Sequence, residues 1–238
     1  MSKAPRHGLA RALSRRGVCS RKVAAEWIAA GRVSVDGRVV RDPEFPTTPE
    51  TVIVVDGDAR REHAPVHLLL NKPRGLVTTT SDEHGRDTVY RCFDGAELPW
   101  IAPVGRLDKA SEGLLLFSND PRWAARITDP ETGPDKTYHV QVDTIPGDAL
   151  LAALVEGVDA DGARLRAKSA RLLRSGTKNA WLEIVLGEGR NRQIRRLLSA
   201  FDISVLRLVR TAIGPITLGD LPKGAWRHLS SAEAEELF

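Results

Sequence analysis

One aspartate with basic neighbours is the clearest candidate for nucleophilic chemistry in this sequence. Asp108 lies in a short polar loop that leads into an apolar segment, with Arg106 two residues before it and Lys109 directly after it. Nearby cations favour the ionised form of a carboxyl group, which is the form that a nucleophile requires. The same pattern also fits an exposed aspartate in a surface turn, so the local sequence leaves both interpretations open.

A group of arginines coincides with the predicted beginning of a helix over residues 191–201. The group consists of Arg190, Arg192, Arg195 and Arg196. The N-terminus of a helix carries a partial positive charge, so cations placed there destabilise the helix unless an anion binds. The pattern therefore indicates contact with phosphate groups, and the alternative is a solvated basic face.

A tyrosine in a predicted strand over residues 136–142 is the third candidate. Because side chains alternate along a strand, Lys136, Tyr138 and Val140 share one face. Tyr138 either belongs to the core or forms a platform on which a base can stack.

The composition limits the classes of protein that are compatible with this sequence. The chain has 238 residues, of which 42% are hydrophobic and 28% are charged. This excludes disorder of the whole chain and suggests one large domain or two small ones. The sequence has no apolar run near the ~20 residues of a transmembrane helix. It also shows neither an apolar signal segment nor a CxxC motif among its two cysteines, so we expect a cytoplasmic protein.

The basic residues are concentrated near the N-terminus. Residues 1–41 carry ten Lys and Arg against Glu26 and Asp36, a net charge of +8, whereas the whole chain carries only +4. Such a density of positive charge is typical of a protein that binds a polyanion. The candidate contact residues are Arg11, Arg15, Arg16, Arg21 and Lys22.

The first part of the chain predicts a small module over residues 8–56. Residues 9–16 and 21–30 predict two helices, the second capped by Ser20 and with Val23, Trp27 and Ala30 on its apolar face. A hairpin turned by Asp36-Gly37 and a strand over 51–55 follow. Residues 1–8 predict a basic tail, and residues 57–66 predict a linker.

The remainder of the chain predicts an α+β fold with a mixed or antiparallel sheet, since strands and helices do not alternate strictly. The predicted strands are 67–71, 75–80, 113–118, 136–142, 165–173, 180–186 and 204–210, and the predicted helices are 121–127, 147–156, 191–201 and 231–237.

The sequence predicts neither a metal site nor a nucleotide cofactor. Gly187 and Gly189 begin a dinucleotide-type pattern, but Arg192 occupies the position of its third glycine. His63 and His67 are four residues apart, but Pro65 would break the helix needed to place them on one face.

Taken together, several segments resemble the RsuA/RluB-type family of ribosomal RNA pseudouridine synthases. They are Asn71-Lys72-Pro73-Arg74-Gly75, Gly105-Arg106-Leu107-Asp108 with Ser111-Glu112-Gly113-Leu114-Leu115, Lys136-Thr137-Tyr138, Glu188-Gly189-Arg190-Asn191-Arg192-Gln193-Ile194-Arg195-Arg196, and Leu208-Val209-Arg210 with Ile213-Gly214-Pro215. The first module is similar to the αL, or S4-type, RNA-binding domain. The resemblance covers the chain from about Leu9 to Ser230 and implies an RNA-binding domain over 1–56, a linker over 57–66 and a catalytic domain over 67–238.

The resemblance implies a role for each candidate residue. Asp108 corresponds to the catalytic aspartate, Tyr138 to the tyrosine that stacks on the target base, and Arg195 to the arginine that pairs with the aspartate. Arg106 corresponds to an arginine that orders the loop and contacts nucleic acid. The family uses neither a metal nor another cofactor, so none is expected here.

The expected partner is a structured stem-loop of ribosomal RNA whose target uridine is flipped out of the stack, and the protein is expected to act as a monomer. Large-subunit RNA is slightly favoured, and small-subunit or other RNA is the alternative. A second alternative is a ribosome-associated protein that binds RNA without catalysis, although the presence of Asp108, Tyr138 and Arg195 argues against it.

Overall fold

The computed structural model describes residues 7–57, 64–80, 85–160 and 162–238. Most of the predicted tail, with Lys3 and Arg6, therefore lies outside the described residues, as do residues 58–63 of the predicted linker, including His63. The chain divides into two compact units. The first unit contains the described residues up to His67, with Ala96–Ala102 and Phe117–Trp123, and the second contains Leu68–Gly95, Pro103–Leu116 and Ala124–Phe238.

The helices and strands of the described residues are as follows. The helices are α1 (Leu9–Arg15), α2 (Arg21–Ala29), α3 (Pro121–Thr128), α4 (Asp148–Glu156), α5 (Gln193–Ser199) and α6 (Ser231–Glu236), and a 3-10 helix covers Val89–Phe93. The strands are β1 (His7–Gly8), β2 (Val33–Val35), β3 (Arg38–Val39), β4 (Pro46–Thr47), β5 (Ile53–Val55), β6 (His67–Lys72), β7 (Ala102–Val104), β8 (Glu112–Ser118), β9 (Lys136–Val142), β10 (Val158–Ala160), β11 (Ala163–Leu165), β12 (Ser169–Ser175), β13 (Ala180–Leu186), β14 (Val205–Ile213), β15 (Ile216–Thr217) and β16 (Trp226–His228).

The first unit has the predicted helix–helix–hairpin–strand order. The Ser20 side chain accepts a hydrogen bond from the Val23 amide and caps α2, and Asp36 and Gly37 both have the positive φ of a tight hairpin turn. The predicted apolar face of α2 is confirmed for Val23 and Trp27, which are half-buried and pack against the core, and was wrong for Ala30, which is exposed at the C-cap. Ala24 and Ile28 are the fully buried positions of this helix. The chain turns away at Gly31, so Ala30 has no core to face.

A mixed sheet organises the second unit, with strand order β12-β13-β9-β14-β8-β6-β16 and with β15 and β7 paired to β14 and β8. Strand β14 runs antiparallel to β9 and parallel to β8. The central strand β9 matches the predicted bounds, and its buried residues alternate as expected. The predicted α+β class with a mixed sheet is therefore confirmed.

Three predicted elements differ from the structure. Residues 75–80 form no strand, only a bridge between Val77 and Thr88, because Gly75 turns the chain at φ +101°. The predicted strand 165–173 is divided between β11 and β12. The predicted helix 191–201 begins at Gln193, since Arg192 adopts a left-handed conformation at its N-cap.

No helix in the described ranges is long and apolar enough to cross a membrane.

Candidate active site

A cavity of about 500 Å³ in the second unit brings together the three residues that were predicted to be catalytic. Asp108 reaches it from the loop between β7 and β8, Tyr138 from β9, and Arg195 from α5. These residues are distant in sequence, and the sheet places them around one space. Arg106, Arg190 and Arg192 also line this cavity, as do Ser111, Lys136 and Arg210.

The loop that carries Asp108 is held through its backbone. The Lys72 ammonium donates hydrogen bonds to the carbonyl oxygens of Asp108 at 3.2 Å and Ser111 at 2.9 Å, as well as to its neighbour Pro73 at 3.1 Å. The Thr78 hydroxyl donates to the Leu107 carbonyl at 2.7 Å and accepts from the Leu107 amide at 3.4 Å. These hydrogen bonds position Asp108 through the backbone of its loop, and none of them involves its carboxylate.

Lys72 is a buried cation with an altered pKa. Its side chain lies at the end of the apolar strand β6 and is fully buried. Burial lowers the pKa of Lys72 to about 8, an effect opposed by Cys92, Asp108 and Glu112. Neither this lysine nor Thr78 was predicted as a site residue. The available signal was a lysine two residues after the apolar run Leu68-Leu69-Leu70.

The arginine that pairs with Asp108 differs from the expected one. The Arg192 Nη1 atom lies 3.5 Å from the Asp108 Oδ2 atom, whereas the Arg195 Nη1 atom donates to the Val205 carbonyl at 3.3 Å. The left-handed conformation of Arg192 directs its side chain from the N-cap of α5 toward Asp108. Arg195 remains near enough for Asp108 to raise its pKa, although burial and Arg192 lower it overall.

A buried glutamine organises the turn that precedes α5. The Gln193 amide nitrogen donates to the Glu188 carboxylate at 2.9 Å and to the Arg166 carbonyl at 3.2 Å. Its oxygen accepts from the Arg190 amide at 3.2 Å. These bonds fix the turn that carries Arg192, so Gln193 is a positioning residue that the sequence analysis missed.

Tyr138 is 92% buried at the centre of the sheet, since only 8% of it is exposed. It faces Ile184 on β13 and Arg210 on β14 in the strand register. Its side chain belongs to the core and also lines the cavity, so the two interpretations of Tyr138 are compatible.

An ion-pair group anchors the strand that follows the Asp108 loop. The Glu112 carboxylate is 4% exposed and accepts two hydrogen bonds from Arg207, at 2.7 and 2.9 Å, and pairs with Lys223. These contacts, led by the bonds from Arg207, lower the pKa of Glu112 to about 2. The beginning of β8 is therefore fixed to β14.

The remaining arginines predicted to contact RNA are used in different ways. Arg106 is exposed at the cavity. Arg190 also lines the cavity and pairs with Glu188. Arg196 is not among the cavity residues, and its guanidinium donates to the Ala160 carbonyl at 3.0 Å.

The predicted basic contacts of the first unit divide into two groups. Arg11, Arg21 and Lys22 are exposed on α1 and α2. Arg15 is hydrogen-bonded to the His7 ring at 2.7 Å, and Arg16 donates to the carbonyls of Pro49 and Thr51. The exposed group presents its charge to solvent, whereas the second group supports the fold of the unit.

The part of the chain that the structure describes contains no cluster of three or more His, Cys, Asp or Glu side chains suited to hold a metal ion.

Comparison with known families matches two segments of the chain. Residues 66–200 match the family described as RNA pseudouridylate synthase. Residues 8–53 match the S4 domain. The first match contains the loop of Asp108, strand β9 and helix α5.

Similar proteins extend the match over nearly the whole chain. One is named as an uncharacterized RNA pseudouridine synthase of Aquifex aeolicus and is 38% identical over 229 residues, which cover 95% of this chain and 91% of that protein. Another is the ribosomal large subunit pseudouridine synthase B of Bacillus subtilis, 34% identical over 231 residues, which cover 96% and 94% of the two chains. A crystal structure of a pseudouridylate synthase aligns with a TM-score of 0.69 at 28% identity, covering 98% of this chain and 100% of that one.

Proposed function

Since the chain belongs to the RNA pseudouridylate synthase family and carries an S4 domain, we propose that it isomerises a specific uridine of ribosomal RNA, with Asp108 starting the reaction. The observation that carries the proposal is the cavity that Asp108, Tyr138, Arg192 and Arg195 share.

The proposed reaction detaches uracil at N1, rotates it and rejoins it to the ribose through C5. The bonds are exchanged within one nucleotide, so the reaction requires no oxidant and no energy donor. Asp108 attacks ribose C1′, attacks C6 of the base, or removes a proton to start a glycal route. Each of these routes uses an ionised carboxylate, and the Arg192 guanidinium lies within ion-pair distance of the Asp108 carboxylate.

Tyr138 and Arg195 have supporting roles in this proposal. The target base must leave its stack, at a cost of a few kcal/mol. Tyr138 stacks on the flipped base and keeps it in the cavity after the glycosidic bond breaks, which favours rejoining over hydrolysis. Arg195 orients the Asp108 carboxylate during the reaction.

Large-subunit RNA is the favoured substrate. The support is the similar protein of Bacillus subtilis, which is named ribosomal large subunit pseudouridine synthase B. Mapping pseudouridines in both ribosomal RNAs from cells that lack the protein tests this point. Loss of a single modified position in the large-subunit RNA is expected, and loss in the small subunit would reassign the substrate.

The substitution Asp108→Asn tests the proposed chemistry. It removes the nucleophile or base with almost no change of shape, so isomerisation should be abolished while affinity for the RNA changes little. The measurement is tritium release from C5-labelled RNA, together with a binding titration. Asp220→Asn, at an exposed position, is the matched control and should retain full activity. Wild-type turnover by Asp108→Asn would contradict the role assigned to Asp108, whereas absence of turnover in the wild type would favour the alternative of an RNA-binding protein without this chemistry.

A further inference from the structure

The cavity contains every buried side-chain polar atom that lacks a hydrogen-bond partner in the described part of the chain. These atoms are Ser111 Oγ, Arg195 Nε and Arg210 Nη2. A buried polar group without a hydrogen-bond partner destabilises the folded state. Three such groups around one space indicate that a polar ligand completes their hydrogen bonds.

Two cations lie deep in this cavity. Lys136 is 8% exposed and Arg210 is 6% exposed. The Arg210 Nε atom donates to the Leu114 carbonyl at 2.7 Å, which leaves its Nη2 atom unpaired. Among the described residues, the Lys136 ammonium has neither a hydrogen bond nor an ion pair. Buried cations normally have an acid partner, so this pair is unusual for a purely structural arrangement.

The carboxylates near Lys136 pair with other groups. The Asp135 carboxylate pairs with Lys168 at 2.7 Å. The Asp129 carboxylate accepts hydrogen bonds from the Glu131 and Thr132 amides at 2.9 and 2.8 Å. Burial lowers the pKa of Lys136 and Arg210 lowers it further, while these two acids oppose the change. The positive charge of the pair is therefore not neutralised within the protein.

The position of the two cations favours contact with a base over contact with the RNA backbone. Arg210 is the register partner of Tyr138, and Lys136 lies two residues from Tyr138 on the same face of β9. The exposed Arg106 suits a phosphate that remains in water. Because Lys136 and Arg210 are almost fully buried, a group that binds both of them loses most of its contact with water, as a flipped base does.

We propose that Lys136 and Arg210 bind the carbonyl oxygens of the flipped uracil and stabilise the negative charge that develops on the base when the C1′–N1 bond breaks. This inference rests on the proposed function and deepens it. In each of the three routes, the electron pair of the C1′–N1 bond passes to the base. When C5 bonds to C1′, the bond from Asp108 to C1′ is broken; in the other two routes the bond from Asp108 to C6 is broken, or the proton taken from ribose C2′ is returned. The base loses the C5 proton and gains a proton at N1, so the atoms balance.

The same contacts select uracil over cytosine. Uracil offers carbonyl acceptors at C2 and C4, whereas cytosine has an amino donor at C4. An amino group would face the N–H donors of Lys136 and Arg210, and its hydrogens would have no acceptor there. A site built on hydrogen bonds discriminates strongly against an analogue that leaves them unmade.

The substitutions Lys136→Met and Arg210→Met, with Lys136→Arg as the conservative variant, test the proposal in the full-length protein. We expect the single-turnover rate to fall by about 10²–10³-fold in each Met variant, the loss typical of removing one donor to a developing anion. Affinity for the RNA should change little, and Lys136→Arg should recover most of the rate.

Thermal melting separates a ligand role from a structural one. Lys136→Met removes a buried, unneutralised charge, so its melting temperature should equal or exceed that of the wild type. A structural role predicts a lower melting temperature in proportion to the lost activity. A Lys136→Met variant with a reduced reaction rate and an undiminished melting temperature supports the inference. This holds even if Arg210→Met fails to fold because its hydrogen bond to Leu114 is lost.

RNA with 5-fluorouridine at the target position tests the role of charge directly. Fluorine makes the base a weaker proton acceptor and stabilises its anion, so cleavage should depend less on Lys136. The measurement is single-turnover loss of intact 5-fluorouridine after nuclease digestion. The defect of Lys136→Met should be smaller on this RNA than on the uridine RNA.

The outcomes distinguish the inference from the function on which it rests. An active wild type with an equally active Lys136→Met overturns the inference alone, as does an equal defect on both RNAs. A wild type that isomerises no uridine in ribosomal RNA overturns the proposed function, and the inference with it.

Discussion

Asp108 is positioned by bonds to the backbone around it, while its carboxylate stays 34% exposed. Lys72 and Thr78 hold the loop through hydrogen bonds to its backbone carbonyls. Among the described residues, only Arg192 lies within ion-pair distance of the carboxylate. A nucleophile or base needs this combination, because the group must be aimed accurately and still be free to react.

The two arginines near Asp108 should contribute unequally. Arg192 is 52% exposed, and an exposed ion pair contributes about 0–1 kcal/mol. Arg195 is more buried, and its Nε atom has no partner. We expect Arg192→Gln to lower the single-turnover rate only a few-fold and Arg195→Gln to lower it by about 10²-fold. A larger loss of single-turnover rate in Arg192→Gln than in Arg195→Gln would instead assign to Arg192 the role of orienting Asp108.

The altered pKa of Lys72 predicts a distinctive pH dependence of stability. Its folded pKa of about 8 lies below the ordinary value of 10.5. Between these values the unfolded chain binds a proton that the folded chain has lost, so stability rises with pH. Below pH 8 both states are protonated, and the folded state carries the cost of burying the ammonium.

Urea unfolding of wild type and Lys72→Met measures this effect. From about pH 7.5 to 9.5, the wild type should gain about 1–2 kcal/mol relative to the variant. The variant also cancels contributions from other groups that titrate in this range. Parallel pH profiles for the two proteins would contradict the assigned pKa.

At the scale of the elements, the close approach of β8 and β14 depends on one glycine. Gly113 pairs with Arg210 across the two parallel strands and has a φ of +99°. A Cβ atom at this position would collide with the backbone carbonyl of Arg210. This close approach places Arg210, on β14, beside the start of β8, which directly follows Ser111.

Gly113→Ala should therefore destabilise the protein by more than about 3 kcal/mol, since both the backbone conformation and the space exclude the methyl group. Gly219→Ala is the matched control. Gly219 also has a positive φ, +55°, but nothing lies within 4 Å of the added Cβ atom, so a cost of about 1–2 kcal/mol is expected. Chemical denaturation compares the two, and equal losses would show that only the dihedral angle matters.

The sequence predicted elements well where one physical signal dominated. Strand β9 was predicted with its observed bounds, because its alternation of apolar and polar residues is unbroken. Residues 75–80 contain Val and Thr and were predicted as a strand, but in the structure Thr78 bonds the Asp108 loop. Such long-range use of a side chain leaves no periodic signal.

The candidate site was predicted in the same uneven way. Asp108, Tyr138 and Arg195 line one cavity, and they were named from charge, face and family resemblance. The pairing of Arg192 with Asp108 was missed, because it depends on a left-handed residue at an N-cap. Arginine has no particular preference for the left-handed conformation, so the sequence around Arg192 does not indicate that this residue adopts it.

At the scale of the whole molecule, the basic helices α1 and α2 and the candidate active site belong to different units. The exposed cations of α1 and α2 lie in the first unit, and the cavity of Asp108 lies in the second. We therefore expect the first unit to contribute affinity for RNA and the second to contribute the reaction.

Replacing Arg11, Arg21 and Lys22 together by Gln tests this division. Each phosphate contact adds roughly −0.7 to −0.9 to the log–log slope of affinity against salt, so the slope should become shallower by about 2. KM should rise far more than kcat falls. The control is the triple Gln variant of Arg91, Arg164 and Arg171, which are exposed but pair with acids. Parallel salt titrations for wild type and the first variant would show that α1 and α2 do not contact phosphate.

The backbone bonds around Asp108 also have a consequence for the dynamics of the molecule. The Gly75 amide donates to the Lys109 carbonyl at 2.8 Å, and the Ser111 amide donates to the Asp108 carbonyl at 2.9 Å. The fully buried ammonium of Lys72 closes the same loop. Ser111 is buried beside the Lys72 ammonium whereas Gly75 is exposed, so we expect hydrogen exchange to be slower at the Ser111 amide than at the Gly75 amide. We therefore expect the buried side of the Asp108 loop, at Ser111, to open less readily than the exposed chain at Gly75, unlike the mobile lids that cover many active sites.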